Sequence, residues 1–193
     1  MATLQIIIAS TRPGRVGLPV AEWIRDAAVK HGGFDDVELI DLAERNLPFM
    51  DEPNHPRLRR YEHAHTREWS ATIDRADAVV IVTPEYNHGF PAPLKNALDY
   101  LHQEWAYKPA GLVSYGGIAA GARAAQMLKP VLTALKMTPL NEAVQLPFVT
   151  QFIDDEGALR PGEATEVAAT AMFDELLRWA DALAPLRNQA RAV

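Results

Sequence analysis

At 193 residues and 21.3 kDa the chain is long enough to bury one sizeable hydrophobic core and too short for two, so a single domain spanning 1–193 is expected. A hydrophobic content of 48% with 23% charged residues excludes disorder and fibrous repeats. A formal net charge of −6 argues against nucleic-acid and anionic-membrane binding, and the lack of any cysteine removes disulfides, thiol nucleophiles and thiolate metal sites together.

Redox chemistry, if present, has to come from a cofactor. The opening MATLQIIIASTRPGR has no basic region ahead of its short apolar segment and does not read as a secretory signal. No apolar run approaches the roughly 20 residues that span a bilayer, so a cytoplasmic protein with no membrane insertion is expected.

Leu4 to Ala9 reads as an apolar strand, broken only by Gln5, that runs into Ser10-Thr11-Arg12-Pro13-Gly14-Arg15-Val16-Gly17. Helical spacing resumes at Leu18, with Pro19 in the first turn, where its missing N–H costs nothing, and Gly32-Gly33 as the stop. Val37 to Leu42 alternates as a second strand, and the proline-rich FMDEPNHP reads as a loop. Arg57 to Ala76 reads as a helix that delivers a third strand at Val79 to Val82, whose unbroken β-branched run suits a strand covered on both sides.

After that strand come Thr83-Pro84-Glu85-Tyr86-Asn87-His88-Gly89 and a helix from Pro91 to about Glu104. Ala110 to Val113 reads as a fourth strand closing on Ser114-Tyr115-Gly116-Gly117. A helix from about Ala119 to Met137 follows, which Pro130 should kink or restart. Ala143 to Val149 reads as a fifth strand whose far end Pro147 weakens, and Glu163 to Leu183 as the final helix, with a flexible tail after about 185. Five strands alternating with helices imply a doubly wound parallel sheet with helices on both faces.

Three strand-to-helix loops should leave the same sheet edge, where ligands bind in such folds. Residues 10–17 have the composition of an anion cradle, because hydroxyls, guanidinium groups and the N–H groups of a following helix can converge on one phosphate. Residues 84–89 bring an aromatic, an amide, a carboxylate and an imidazole together, though a proline-punctuated turn with a packed Tyr86 and a capping Asn87 would look the same. Residues 114–117 carry the weakest signal; their glycines suit a tight turn, and equally a close approach of a flat ligand to backbone.

Neither GxxxxGK[ST], nor GxGxxG after the first strand, nor GxSxG occurs, so triphosphatase, Rossmann dinucleotide and nucleophile-elbow readings lose support. His63 and His65, two apart in the expected helix, should point in different directions and make a poor metal site with His55; no metal is expected. Glu85 reads as a structural carboxylate rather than a general base. The tryptophans at 23, 69, 105 and 179 read as core or interface.

Taken together, Ser10-Thr11-Arg12-x-x-Arg15, Thr83 to Gly89 leading to Pro93-Leu94-Lys95-Asn96-Ala97-Leu98-Asp99, and Ser114 to Gly117 resemble, in order and spacing, the NADPH-dependent FMN reductase family of flavodoxin-like proteins. The similarity covers about Leu4 to Val149, and the PEYN…LKNALD block is its most specific part. The resemblance implies a flavodoxin-like five-stranded sheet of order 2-1-3-4-5, with FMN held across the first and third strand loops. By it, Ser10, Thr11, Arg12 and Arg15, with Val16 and Gly17, bind the FMN phosphate. Pro84, Glu85, Tyr86 and Asn87 line the isoalloxazine, and Ser114, Tyr115, Gly116 and Gly117 close its other side. Two departures stand out: Ala9 where many members have glycine, and Gly17 where many have serine.

The implied activity is an FMN-dependent oxidoreductase in which NADPH or NADH gives a hydride to the flavin and leaves, after which quinones, azo compounds, free flavin or metal oxyanions take the electrons in a ping-pong scheme. The flavin carries the chemistry, and no catalytic side chain is required. The alternative is a flavodoxin-like electron carrier without efficient nicotinamide turnover, which Arg12 and Arg15 disfavour. The resemblance further implies a homodimer or homotetramer, with the helix after Pro91, Trp105 and Tyr107 as the expected contact, and a small-molecule acceptor as the partner.

Overall fold

The computed structural model describes residues 2–191. Its centre is a five-stranded parallel sheet of order β2-β1-β3-β4-β5, formed by β1 (Thr3–Ile8), β2 (Asp36–Asp41), β3 (Ala78–Pro84), β4 (Pro109–Gly116) and β5 (Thr138–Pro147). The helices are α1 (Gly17–His31), α2 (Leu42–Arg45), α3 (Ala64–Asp74), α4 (Ala92–Asp99), α5 (Ala122–Ala134) and α6 (Glu163–Arg191). This is the order that the loop resemblance implies.

β3 shows why the middle of the sheet is so apolar. Val80 and Val82 pack with Val20 and Ile24 of α1 and Met172 and Leu176 of α6, while Val79 and Ile81 pack on the opposite face with Trp69 of α3, Leu98 of α4 and Leu128 of α5. Each such side chain, fully withdrawn from water, contributes about 1.5–3 kcal/mol. A strand buried on both faces has no reason to alternate, as the Val79 to Val82 run already suggests.

Several boundaries differ from expectation. Apart from a single 3-10 turn at Pro56–Leu58, the segment ahead of α3 is not helical until Ala64, because the Glu52 carboxylate takes the backbone N–H groups of Glu62 (2.8 Å) and His63 (3.0 Å). His63 therefore lies outside the helix, and its ring stacks on His65 at 5.3 Å with 7° between planes. The two rings share a face instead of diverging. α4 stops at Asp99, well before Glu104, and a separate 3-10 turn at Gln103–Trp105 buries Trp105 completely against Trp69. A residue so enclosed is not available to a partner chain, so the expected contact loses Trp105.

Pro130 does not restart α5, which runs unbroken from Ala122 to Ala134; its missing N–H falls on an exposed side of the helix where the Gln126 carbonyl can bond water. β4 and β5 both run longer than their apolar cores indicate; β4 includes Ser114, Tyr115 and Gly116, which pair with Gln145, Leu146 and Pro147 of β5. The final helix continues past Leu183 and through Pro185 to Arg191, so the described part of the expected tail is ordered helix, while residues 192 and 193 lie outside the described residues. Arg187 explains the extension: it is 5% exposed, pairs with Asp77 at 3.1 Å, and donates to the carbonyls of Tyr107 and Ala180.

Candidate functional site

The parallel register brings Ile8, Val82 and Val113 to one level, so the loops after β1, β3 and β4 leave the sheet side by side. The first of these turns back on itself through Gly14 at φ 68°, with the Arg15 N–H bonded to the Arg12 carbonyl. Arg15 Nη2 pairs with Asp41 at the end of β2, and its buried Nε has no partner. Among the described residues Arg12 forms no ion pair, and its side chain is exposed. α1 begins here with no side-chain cap and no acidic residue in its first turn, leaving its N–H groups and positive dipole end to the loop.

The second loop is a tight turn. Tyr86 and Gly89 exchange both backbone hydrogen bonds at 2.9 Å, and Asn87 (φ 49°) and His88 (φ 70°) both adopt the left-handed conformation that such a turn requires. This projects the Tyr86 hydroxyl to 2.8 Å from Ser10 Oγ, across the gap between the loops. Asn87 and His88 end up exposed at the turn tip.

At the end of β4, Ser114 turns inward and donates to the Ala120 carbonyl at 2.8 Å, so its hydroxyl is committed to the turn that starts α5. That turn needs glycine at 121: φ is +76°, and a Cβ there would lie 2.8 Å from the Tyr115 N. Tyr115 reaches the other way, toward Ser10, Arg12 and Arg15, and burial pushes its phenol pKa up, so it stays protonated. Gly117 is exposed and nothing lies within 4 Å of where its Cβ would be.

These three loops enclose a cleft of about 320 Å³ lined by Arg12, Arg15, Val16, Pro84, Glu85, Tyr86, Tyr115, Gly116 and Gly117. Of the other residues expected in the site, Thr11 lines a neighbouring cleft of about 520 Å³ with Phe49, Pro93 and Asn96, and Ser10 and Ser114 are buried beneath the loops. Gly17 faces the Tyr115 hydroxyl, and Asn87 stands at the turn tip. The first loop is thus a wall between two clefts.

Two contributors were not visible from the three loops. Phe148, Val149 and Thr150 complete the 320 Å³ cleft from the chain after β5; Phe148 is left-handed (φ 48°), 46% exposed, and donates its N–H to the Gly117 carbonyl at 3.2 Å. The break at Pro147 was the available signal. Arg123 is the other: its backbone N–H (3.1 Å) and Nε (2.6 Å) both donate to Glu85. The Arg123 guanidinium holds the Glu85 carboxyl below the usual range, against an opposing effect of burial. Among the described residues no group of three or more His, Asp or Glu side chains is placed to hold a metal ion.

Chemically, one end of the cleft offers an anion an uncapped helix N-terminus, a cation without a counter-ion and an unsatisfied buried guanidinium N–H. The other end offers a flat ligand the open backbone of Gly117 in a cleft that Tyr86 and Phe148 also line.

The model of the NADPH-dependent FMN reductase family matches residues 2–151. The chain belongs to this family. It is therefore an oxidoreductase that works with FMN and NAD(P)H. Among curated relatives, the reductase is 42% identical to an NAD(P)H-dependent FMN reductase of Schizosaccharomyces pombe over 146 residues, 74% of this chain and 72% of the relative. It is 27% identical to a quinone reductase of Pseudomonas putida over 92% of this chain and 94% of that one. Among solved structures, the flavoenzyme NAD(P)H:(acceptor) oxidoreductase FerB of Paracoccus denitrificans superimposes with a TM-score of 0.73 at 21% identity, covering 94% of the reductase and 98% of that chain. This last likeness shows the shared fold.

Proposed function

We propose that the protein holds FMN in the 320 Å³ cleft and passes reducing equivalents from NADPH or NADH to a small-molecule acceptor, by alternating visits of donor and acceptor in a ping-pong scheme. The acceptors that fit the reading are quinones, azo compounds, free flavin and metal oxyanions. The observation that carries it is the unsatisfied anion site at one end of the cleft: the uncapped start of α1 with Arg12 and the partnerless Nε of Arg15. It fits a phosphate monoester, and the open backbone at Gly117, in the same cleft as Tyr86, fits a flat ring.

Arg12 and Arg15 would neutralise the phosphate, and backbone N–H groups of the loop and of the start of α1 would donate to it, apart from Pro13, which has none, and Arg15, whose N–H is bonded to the Arg12 carbonyl. Thr11 and Ser114 would contribute through backbone alone, given where their side chains lie. Pro84, Glu85, Tyr86, Gly116 and Gly117 would line the ring, with Asn87 supporting the turn that presents Tyr86. When bound, FMN supplies the two-electron chemistry, taking a hydride from reduced nicotinamide and returning two electrons to the acceptor. The chain itself positions and polarises. Glu85 does not act as an acid or base here, because its carboxylate is occupied by Arg123 and the N-terminus of α5.

Exposed Phe49 and Met50, beside Pro93 and Asn96 of α4, support a homo-oligomer that buries them, and a cytoplasmic location is part of the same proposal. The test of the catalytic reading is initial-rate kinetics with NADPH and a quinone, both varied. Parallel double-reciprocal lines are expected; intersecting lines would exclude the ping-pong order, and the absence of turnover with either nucleotide would exclude the enzyme reading.

A further inference from the structure

We propose that the Tyr115 hydroxyl is itself a ligand of the cofactor phosphate, taking the place of the side chain that Gly17 lacks. The inference rests on the FMN reading above and adds to it a residue that the sequence places at the ring end of the site.

The side chain of Tyr115 starts at the end of β4 and crosses to the first turn of α1. A Cβ built on Gly17 would stand 2.7 Å from the Tyr115 hydroxyl oxygen and 3.7 Å from Cζ. A carbon and an oxygen do not pack at 2.7 Å, so the volume that a side chain at 17 would fill is already held by a phenol. Residue 17 and residue 115 are thus alternatives for supplying one hydroxyl at the start of the helix.

The surroundings suit an anion ligand. Tyr115 is 4% exposed and lines the cleft with Arg12 and Arg15, while the Ser10 and Tyr86 hydroxyls lie 2.8 Å apart and so are engaged with each other. An anion at the helix N-terminus is the partner to which the Tyr115 O–H would donate. Burial keeps the phenol protonated across the ordinary pH range, as a donor must be.

The test compares FMN with riboflavin, which has the same ring and no phosphate, by flavin fluorescence titration of the flavin-free protein. Tyr115→Phe should weaken FMN about 10-fold, the worth of one charge-assisted hydrogen bond, and leave riboflavin affinity unchanged. Retained riboflavin binding also reports that the variant is folded. The double variant Tyr115→Phe/Gly17→Ser, in which the obstructing oxygen is gone, should recover FMN affinity, whereas Gly17→Ser alone should lose it. Equal FMN affinity in wild type and Tyr115→Phe would overturn the inference, as would an equal loss for both flavins, which would place Tyr115 at the ring. Wild-type protein that binds riboflavin and FMN equally would overturn the phosphate site as a whole, and is distinct from either result.

Discussion

Arg123 and Glu85, 38 residues apart, are joined by two hydrogen bonds, from the Arg123 backbone N–H at 3.1 Å and from its Nε at 2.6 Å. One carboxylate thereby ties the loop after β3 to the N-terminus of α5, and so fixes the spacing of the two loops that form the ring end of the cleft. Glu85 acts as a helix cap supplied from another element, which α5 needs because Gly121 has no side chain to cap it.

The two halves of this clamp should differ in worth. Glu85→Ala removes the cap and the ion pair and should cost about 1–2 kcal/mol, whereas Arg123→Ala leaves the backbone bond in place and should cost less than about 1 kcal/mol, as exposed pairs do. Urea denaturation of the two variants checks the order, and both should weaken flavin binding.

The clamp is pH-dependent in a defined sense. Arg123 and the helix N–H groups lower the Glu85 pKa below its ordinary 4.5 in the folded state, so its contribution is complete above that value and is lost as pH falls through the lowered one. The stability difference between wild type and Glu85→Gln, followed from about pH 3 to about pH 7, should be constant at the upper end and shrink at the acid end.

Arg12 is the exposed cation at the anion end of the cleft. Arg12→Ala should weaken FMN by about 10- to 100-fold, corresponding to about 1.5–3 kcal/mol for hydrogen bonds to a charged group, and should flatten the salt dependence of binding. Riboflavin affinity should not change. Isothermal titration at two ionic strengths separates this from a general loss of the site.

At the other end of the molecule, Arg187→Ala should destabilise the fold by about 3–5 kcal/mol, because it removes one partner of a buried ion pair and leaves Asp77 behind. A change of under 1 kcal/mol in urea unfolding, roughly the value of an exposed pair, would show that the last turns of α6 are not part of the core.

What the sequence made legible was local. The β-branched run at 79–82, the helix stop at Gly32 and the three polar loops each follow from neighbours in the chain, and the structure places those loops on one edge. What stayed hidden depends on distant partners. Ser114 and Tyr115 read as loop because their strand character comes from pairing with Gln145 and Leu146. The early start expected for α3 ignored Glu52, whose carboxylate holds the N–H groups of Glu62 and His63. Pro185 read as a breaker because nothing nearby in the chain indicates that Arg187 will meet Asp77. In the site, the direction of Tyr115 toward the first loop could not be read from SYGG, since the gap it enters is the one left by Gly17 at the start of α1.

The most direct test of the account is an absorption spectrum of the protein saturated with FMN and freed of excess, then treated anaerobically with NADPH and separately with NADH. The account predicts retained flavin absorbance that bleaches rapidly with at least one nucleotide. Retained flavin that neither nucleotide bleaches would contradict the reductase reading in favour of an electron carrier, and protein that retains no flavin would contradict the cleft assignment itself.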